Sequence, residues 1–157
     1  MAVVFAQGTL TVTGQPLNTE TVTIGGKVYT FQTVLTNVDG NIFIGATAAA
    51  SLQNLKDAVN LTGTPGTQYA AAMTANTGVV ANTITATTLQ FVARIAGLVS
   101  NLIASTETLT NGSFGGGLLT GGLGDLFTDI RALIAVNQIN GAVVQALIDL
   151  TDPEGNE

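Results

Sequence analysis

The sequence has no cysteine, no histidine and no tryptophan in 157 residues. Without cysteine there is no disulfide framework, no thiolate metal site and no cysteine nucleophile. Without histidine the usual general base near neutral pH and the commonest metal ligand are both missing. Charge is scarce as well: Asp, Glu, Lys and Arg make up 9 % of the chain, where a typical soluble domain has about 25 %. Four cations (Lys27, Lys56, Arg94 and Arg131) stand against ten acids, for a net charge of −6. Cations this few and this scattered do not neutralise a phosphate backbone, so nucleic acid is not an expected partner. The longest apolar stretch, Phe91 to Ala104, is interrupted by Arg94, Ser100 and Asn101. It falls short of the roughly 18 residues of a membrane span, so no membrane partner is expected. The segment Met1–Gly8 has no basic residue, and its apolar run is too short for a signal peptide. Synthesis in a cytoplasm-like compartment is the expectation.

What is present is apolar material and small polar residues. Hydrophobic residues make up 46 % of the chain, enough for a packed core rather than a disordered tail. Threonine occurs 25 times and glycine 19 times. A surface made of such residues is neutral and small-featured, and suits close contact with other subunits. The plainer reading is a β-rich domain that uses threonine for strand propensity. Composition leaves both open.

Along the chain, the first part reads as strands around one helix. Thr9–Thr13 alternates with period two and is broken by Gly14-Gln15-Pro16. Glu20–Ile24 alternates again, Gly25-Gly26 supplies a two-residue turn, and Lys27–Leu35 returns as the second strand of a hairpin. Asp39-Gly40 marks a further turn before a short strand near Asn41–Ile44. Thr47 is placed to cap a helix over Ala48–Asn60. There Ala48, Leu52, Leu55 and Val59 share the core face, while Gln53, Asn54, Lys56 and Asp57 face water. Turn residues fill 62–67. Strands are then expected at Ile84–Thr87, Thr88–Ile95 and Leu102–Leu109, with a loop over 96–101.

The stretch 111–124 has seven glycines in 14 residues and reads as a linker or an extended, strand-like arm. Beyond it the period changes from 2 to 3.6. Leu126, Ile130, Leu133, Val144 and Leu147 form an apolar stripe interrupted by Asn137 and Asn140, and Asn140-Gly141 divides it into one helix or two. The expected architecture is therefore α+β. A β-rich module of strand, hairpin, helix and strands spans 1–110, followed by a glycine-rich linker over 111–124 and a C-terminal helical appendage over 125–157. The stripe packs either on its own module or on a neighbouring subunit. In the second case Leu126, Ile130, Leu133, Val144 and Leu147 are the interaction residues, with Asn137 or Asn140 setting register as polar core residues do in coiled coils.

No constellation carries chemistry. Gly117–Gly122 looks like part of a phosphate loop but lacks the Lys-Ser/Thr that would complete it. Asn37-Val-Asp39-Gly-Asn41 has the first half of a calcium loop, yet its closing acid is replaced by Ala48, which leaves a β-turn. Asp125 and Asp129 suit the first turn of a helix, where acids complement the dipole. Glu20 and Glu107 lie in similar threonine contexts. Paired carboxylates of that kind run glycosidic chemistry, but there is no tryptophan and only two tyrosines to stack on a sugar. The expectation is a non-enzyme without metal or cofactor.

The runs Gly8–Gly14, Glu20–Phe31, Leu35–Asn41 and Ile44–Asn60 stand out as a set. With Gly66–Ala70, Ala104–Leu109 and Ser113–Gly117, they resemble a module that recurs in tailed-bacteriophage structural proteins. The likeness spans roughly residues 7–122 and departs at Ala96–Asn101, which is more apolar than the glycine-rich loop of that module. It implies a virion structural protein with no catalytic residues. The leading expectation is a capsid decoration or cement protein, self-associating and bound in many copies to the major capsid protein or other virion proteins. A tail, neck or baseplate component is the alternative, and a carbohydrate-binding adhesin module a more distant one. The helical appendage lies outside the resemblance.

Overall fold

The structure, a computed structural model, describes residues 3–124. The chain runs β1 (Phe5–Val12), β2 (Thr21–Ile24), β3 (Lys27–Gln32), β4 (Asn41–Phe43), α1 (Ala48–Asn60), β5 (Val79–Ile84) and β6 (Thr88–Ala96). A 3₁₀ turn (Leu98–Leu102), β7 (Ser105–Glu107) and β8 (Gly112–Phe114) complete it. The strands form two four-stranded sheets of order β5-β6-β1-β8 and β4-β3-β2-β7, so the fold is α+β and strand-rich. One core joins both sheets and the helix. Leu10, Val12, Leu89 and Phe91 come from the first sheet, Val22, Ile24, Tyr29 and Phe31 from the second, and Leu52, Leu55 and Val59 from α1.

The hairpin and the helix follow local chemistry. Gly25 and Gly26 both take positive φ (60° and 79°), the condition for the tight turn whose twist matches the flanking strands. The side chain of Thr47 accepts a hydrogen bond from the Ala50 amide at 3.1 Å and so caps α1. Leu61 ends the helix in the left-handed conformation. The helix face differs from expectation at two positions, because Asn54 and Asp57 are buried rather than turned to water. Asn54 donates to the Phe43 carbonyl at 2.9 Å. The Asp57 carboxylate accepts from Gln53 Nε2, Thr62 Oγ1 and Gln68 Nε2. A polar side chain tolerates burial when its bonds are made, and apart from Gln53 the partners come from outside the helix, where helical periodicity does not see them.

The later strands are displaced from their expected places. β5 occupies Val79–Ile84, and 85–87 form the turn into β6, closed by Thr85 and Thr88 through their hydroxyls at 2.7 Å. Residues 98–102 form a 3₁₀ turn instead of a plain loop, and the strand expected over Leu102–Leu109 shrinks to Ser105–Glu107. Ser100 explains the turn: its buried hydroxyl donates to the Gly97 carbonyl and accepts from the Ala6 amide at 3.1 Å. The glycine-rich stretch runs antiparallel to β1. It pairs at Leu10–Val12 through β8, at Gln7 through Thr120, and at Val4 through Leu123. Between these points Leu119 is fully buried against Gly8, where an added Cβ would come within 2.5 Å of Leu119 Cδ2. The core thus continues through the arm.

Candidate interaction surface

Seven charged side chains fall within the described residues, and most are committed inward. Lys27 Nζ meets Asp39 Oδ1 at 2.6 Å and also donates to the carbonyl and hydroxyl of Thr74. Asp39 accepts from the Thr74 amide and hydroxyl as well, which fastens the 71–76 loop over the hairpin. Partial desolvation opposes ionisation of Asp39, but the Lys27 and Thr74 bonds outweigh it and bring its pKa down to about 2. Partial desolvation likewise opposes the Glu20 carboxylate. Bonds from the Leu17 amide and from the Thr110 hydroxyl and amide prevail and hold it below the usual glutamate range. Arg94 Nε donates to the carbonyls of Asn76 and Val79, both at 3.0 Å.

Asn76 is a junction between the sheets. Its amide nitrogen donates to the Ile24 carbonyl and to the Tyr29 hydroxyl, and its oxygen accepts from the Gly78 and Val79 amides. Burial pushes the Tyr29 hydroxyl up to about 12 against the opposing Asn76 bond, so it stays protonated.

What remains outward is mostly hydroxyl, amide and apolar side chains. Phe5, Gln7, Thr9 and Thr11 alternate outward along β1, opposite the buried Ala6, Leu10 and Val12. A shallow cleft of about 370 Å³ opens where the arm lifts away from β1 toward β7, lined by Gln7, Thr9, Gln90, Ser105, Phe114 and Thr120. Gln7 and Gln90 already bond each other at 2.8 Å across it. The lining holds no acid, no base and one aromatic ring, and offers a ligand little beyond hydroxyls and amides.

Exposed apolar side chains are spread over the surface, Val34 being the most exposed, and several of them lie near one corner. There the start of β1, the end of β6, the 3₁₀ turn and the end of the arm meet. Val4 and Leu123 exchange backbone hydrogen bonds at 2.6 and 3.0 Å, and Gly97 donates to the Val4 carbonyl. The Asn101 side chain clasps the backbone of Gly122 from both ends. Around these bonds Val3, Phe5, Ile95, Leu102 and Leu123 are each between 44 % and 65 % exposed.

The sequence-derived candidates fall elsewhere. Leu126, Ile130, Leu133, Asn137, Asn140, Val144 and Leu147 lie outside the described residues, as do Asp125 and Asp129. Asn37–Asn41 is a turn with its carboxylate engaged by Lys27. In the stretch that looked like a phosphate loop, Leu119 is buried and Thr120 pairs with Gln7. Glu20 clasps the turn after β7, and Glu107 faces Val22 in the β2–β7 ladder. The exposed corner was missed because its residues come from four segments. The one local sign was the odd-numbered pair Val3 and Phe5 upstream of the expected strand. Compared with family models, curated proteins and solved structures, the chain has no match in any of the three.

Proposed function

We propose that this chain is a non-enzymatic structural subunit of a bacteriophage particle, a decoration or cement protein bound to the head shell in many copies. The observation that carries the proposal is the internal use of charge. Five of the seven charged side chains described, Lys27, Asp39, Asp57, Glu20 and Arg94, bond within the module, so the outer surface is mostly uncharged. Such a surface repels neighbours weakly and loses little hydration when covered, which suits a subunit packed against other subunits. The resemblance over residues 7–122 supports the same reading. The major capsid protein is the proposed partner, together with further copies of the chain, and the virion its location.

The test is copy number in particles purified from the phage that encodes the chain, measured by quantitative mass spectrometry. On the order of hundreds of copies per particle is the expected result, since a shell repeats its sites by symmetry. About a dozen or fewer would move the protein to the tail, neck or baseplate. Absence from the particle would overturn the reading.

A further inference from the structure

Asn111 and Gly112 lead from the turn after β7 into β8, and among the described residues they form the one Asn-Gly pair. In such a pair the asparagine is open to attack by the next amide, because glycine sets no side chain beside the attacking nitrogen. The packing leaves little room for anything larger: a Cβ on Gly112 would come within 2.9 Å of Leu109 Cδ1 and 3.1 Å of the Thr11 carbonyl. The Gly112 amide faces away from β1, since the ladder bonds run through its neighbours, and among the described residues it makes no hydrogen bond.

Its target is held back by bonds on both sides. The Asn111 carbonyl accepts from the Thr13 amide at 2.7 Å and from the Thr13 hydroxyl at 3.3 Å, which fixes the peptide between 111 and 112. Asn111 Nδ2 donates to the Gln15 carbonyl at 3.2 Å. The side chain nests against Gly14, where an added Cβ would stand 3.1 Å from Asn111 Cγ. For the Gly112 nitrogen to reach Cγ, the side chain must leave Gln15 and the peptide must turn off Thr13. Both follow when β8 separates from β1.

We propose that Asn111 is a site of self-modification guarded by the seating of β8, where the chain deamidates when the arm opens. The Gly112 nitrogen bonds to Asn111 Cγ, the Cγ–Nδ2 bond breaks, and ammonia leaves with the amide proton. Water then opens the succinimide at either carbonyl and gives aspartate or isoaspartate. Both products lose the donor to Gln15 and gain an acceptor-only carboxylate. Isoaspartate also routes the main chain through Cγ, which puts β8 out of register with β1. The modified arm therefore seats poorly. The inference is independent of the virion reading.

The test follows the full chain in mildly alkaline buffer and, in parallel, unfolded in urea. Tryptic peptides are weighed over time, and Arg131 places Asn111 and the second Asn-Gly pair, Asn140-Gly141, on separate peptides. Conversion at Asn111 is expected to be at least about tenfold slower in buffer than in urea, since only the opened fraction reacts. Equal rates, or no conversion in urea, would overturn the proposal. As urea is raised below the unfolding range, conversion is expected to follow hydrogen exchange at the Thr13 amide. Conversion that follows exchange at Leu10 and Phe91 instead would assign the guard to global unfolding and overturn the role of the arm. The converted chain carries one more negative charge and separates by anion exchange. In it, exchange at the amides of Thr11, Thr13 and Ser113 is expected to quicken several-fold, and unchanged exchange there would overturn the poor seating of the modified arm.

Discussion

In the sheet β4-β3-β2-β7 the central strands are joined by Gly25-Gly26, and Ile24 faces Lys27 across the turn. In the sheet β5-β6-β1-β8 the central strand finds its partners far along the chain: Leu10 faces Leu89 on one side and Phe114 on the other. The sheet β4-β3-β2-β7 is seeded by a turn that two residues dictate. The sheet β5-β6-β1-β8 closes only when the glycine-rich arm returns along β1. Its loop-closure entropy is correspondingly larger, and contacts such as Leu119 against Gly8 must repay it. Of the two readings that composition allowed for this stretch, linker or strand-like arm, its pairing with β1 is that of the arm.

The strongest way to break that contrast is to remove one leucine from each side. Leu119 in the arm and Leu52 in α1 are both fully buried. Leu119→Ala and Leu52→Ala are each expected to cost about 2–5 kcal/mol, read as shifts in the urea midpoint. A loss below about 0.5 kcal/mol for Leu119→Ala, the range of surface substitutions, would return the arm to the status of a linker.

Uncoupling the two sheets comes next. Asn76→Ala removes its bonds to the amides of Gly78 and Val79, the Ile24 carbonyl and the Tyr29 hydroxyl. A loss of about 1–3 kcal/mol for each group left buried and unsatisfied is expected. Asn76→Asp, which keeps the acceptor, should retain part of the stability.

The glycines separate the two regions more finely. Gly26 sits at a φ of 79°, and Gly26→Ala is expected to cost about 1 kcal/mol from the left-handed backbone alone. Gly116 has no positive φ and no close neighbour. Gly116→Ala is therefore expected to stabilise by about 0.4–1 kcal/mol through a less flexible unfolded chain. Thermal melts of the two variants should move in opposite directions.

The smallest expected effect is one of pH. Asp39 has a folded pKa of about 2, below its ordinary value of 3.8, and Glu20 is lowered as well. A carboxylate depressed in the folded state binds its proton more readily in the unfolded chain. Its contribution is therefore complete above the ordinary carboxylate range and is lost as pH falls from there toward 2. Asp39→Asn should flatten the acid limb of the stability curve, and added salt should weaken the effect because the Lys27 pair is partly exposed. An acid limb identical to that of the parent would remove Asp39 from the account.

The elements legible in the sequence were those whose cause is local. The hairpin came from Gly25-Gly26, and α1 from Thr47 and the Leu52, Leu55 and Val59 face, with its bounds at Ala48 and Asn60. The beginning of β1 was missed, because Val3–Ala6 is a short continuous apolar run without the period-two alternation that marked Thr9–Thr13. Asn54 and Asp57 were read as solvated because their partners, the Phe43 carbonyl and Gln68, come from beyond the helix. In the candidate surface the low charge was visible in composition, while its internal use was not. The Lys27–Asp39 pair joins a hairpin to a later turn, and Arg94 reaches carbonyls in another segment.

By itself, then, the sequence determined a strand-rich α+β chain with one capped helix, a tight hairpin and little charge. Each of these rests on backbone preferences or side-chain periodicity that act over a few residues. Tertiary structure alone decided that the glycine-rich stretch is a strand partner of β1, that Asn76 ties the sheets together, and where apolar surface remains exposed. These are contacts between distant segments. Their free energy comes from burial and satisfied hydrogen bonds, and that depends on which surfaces meet rather than on which residues are neighbours in the chain.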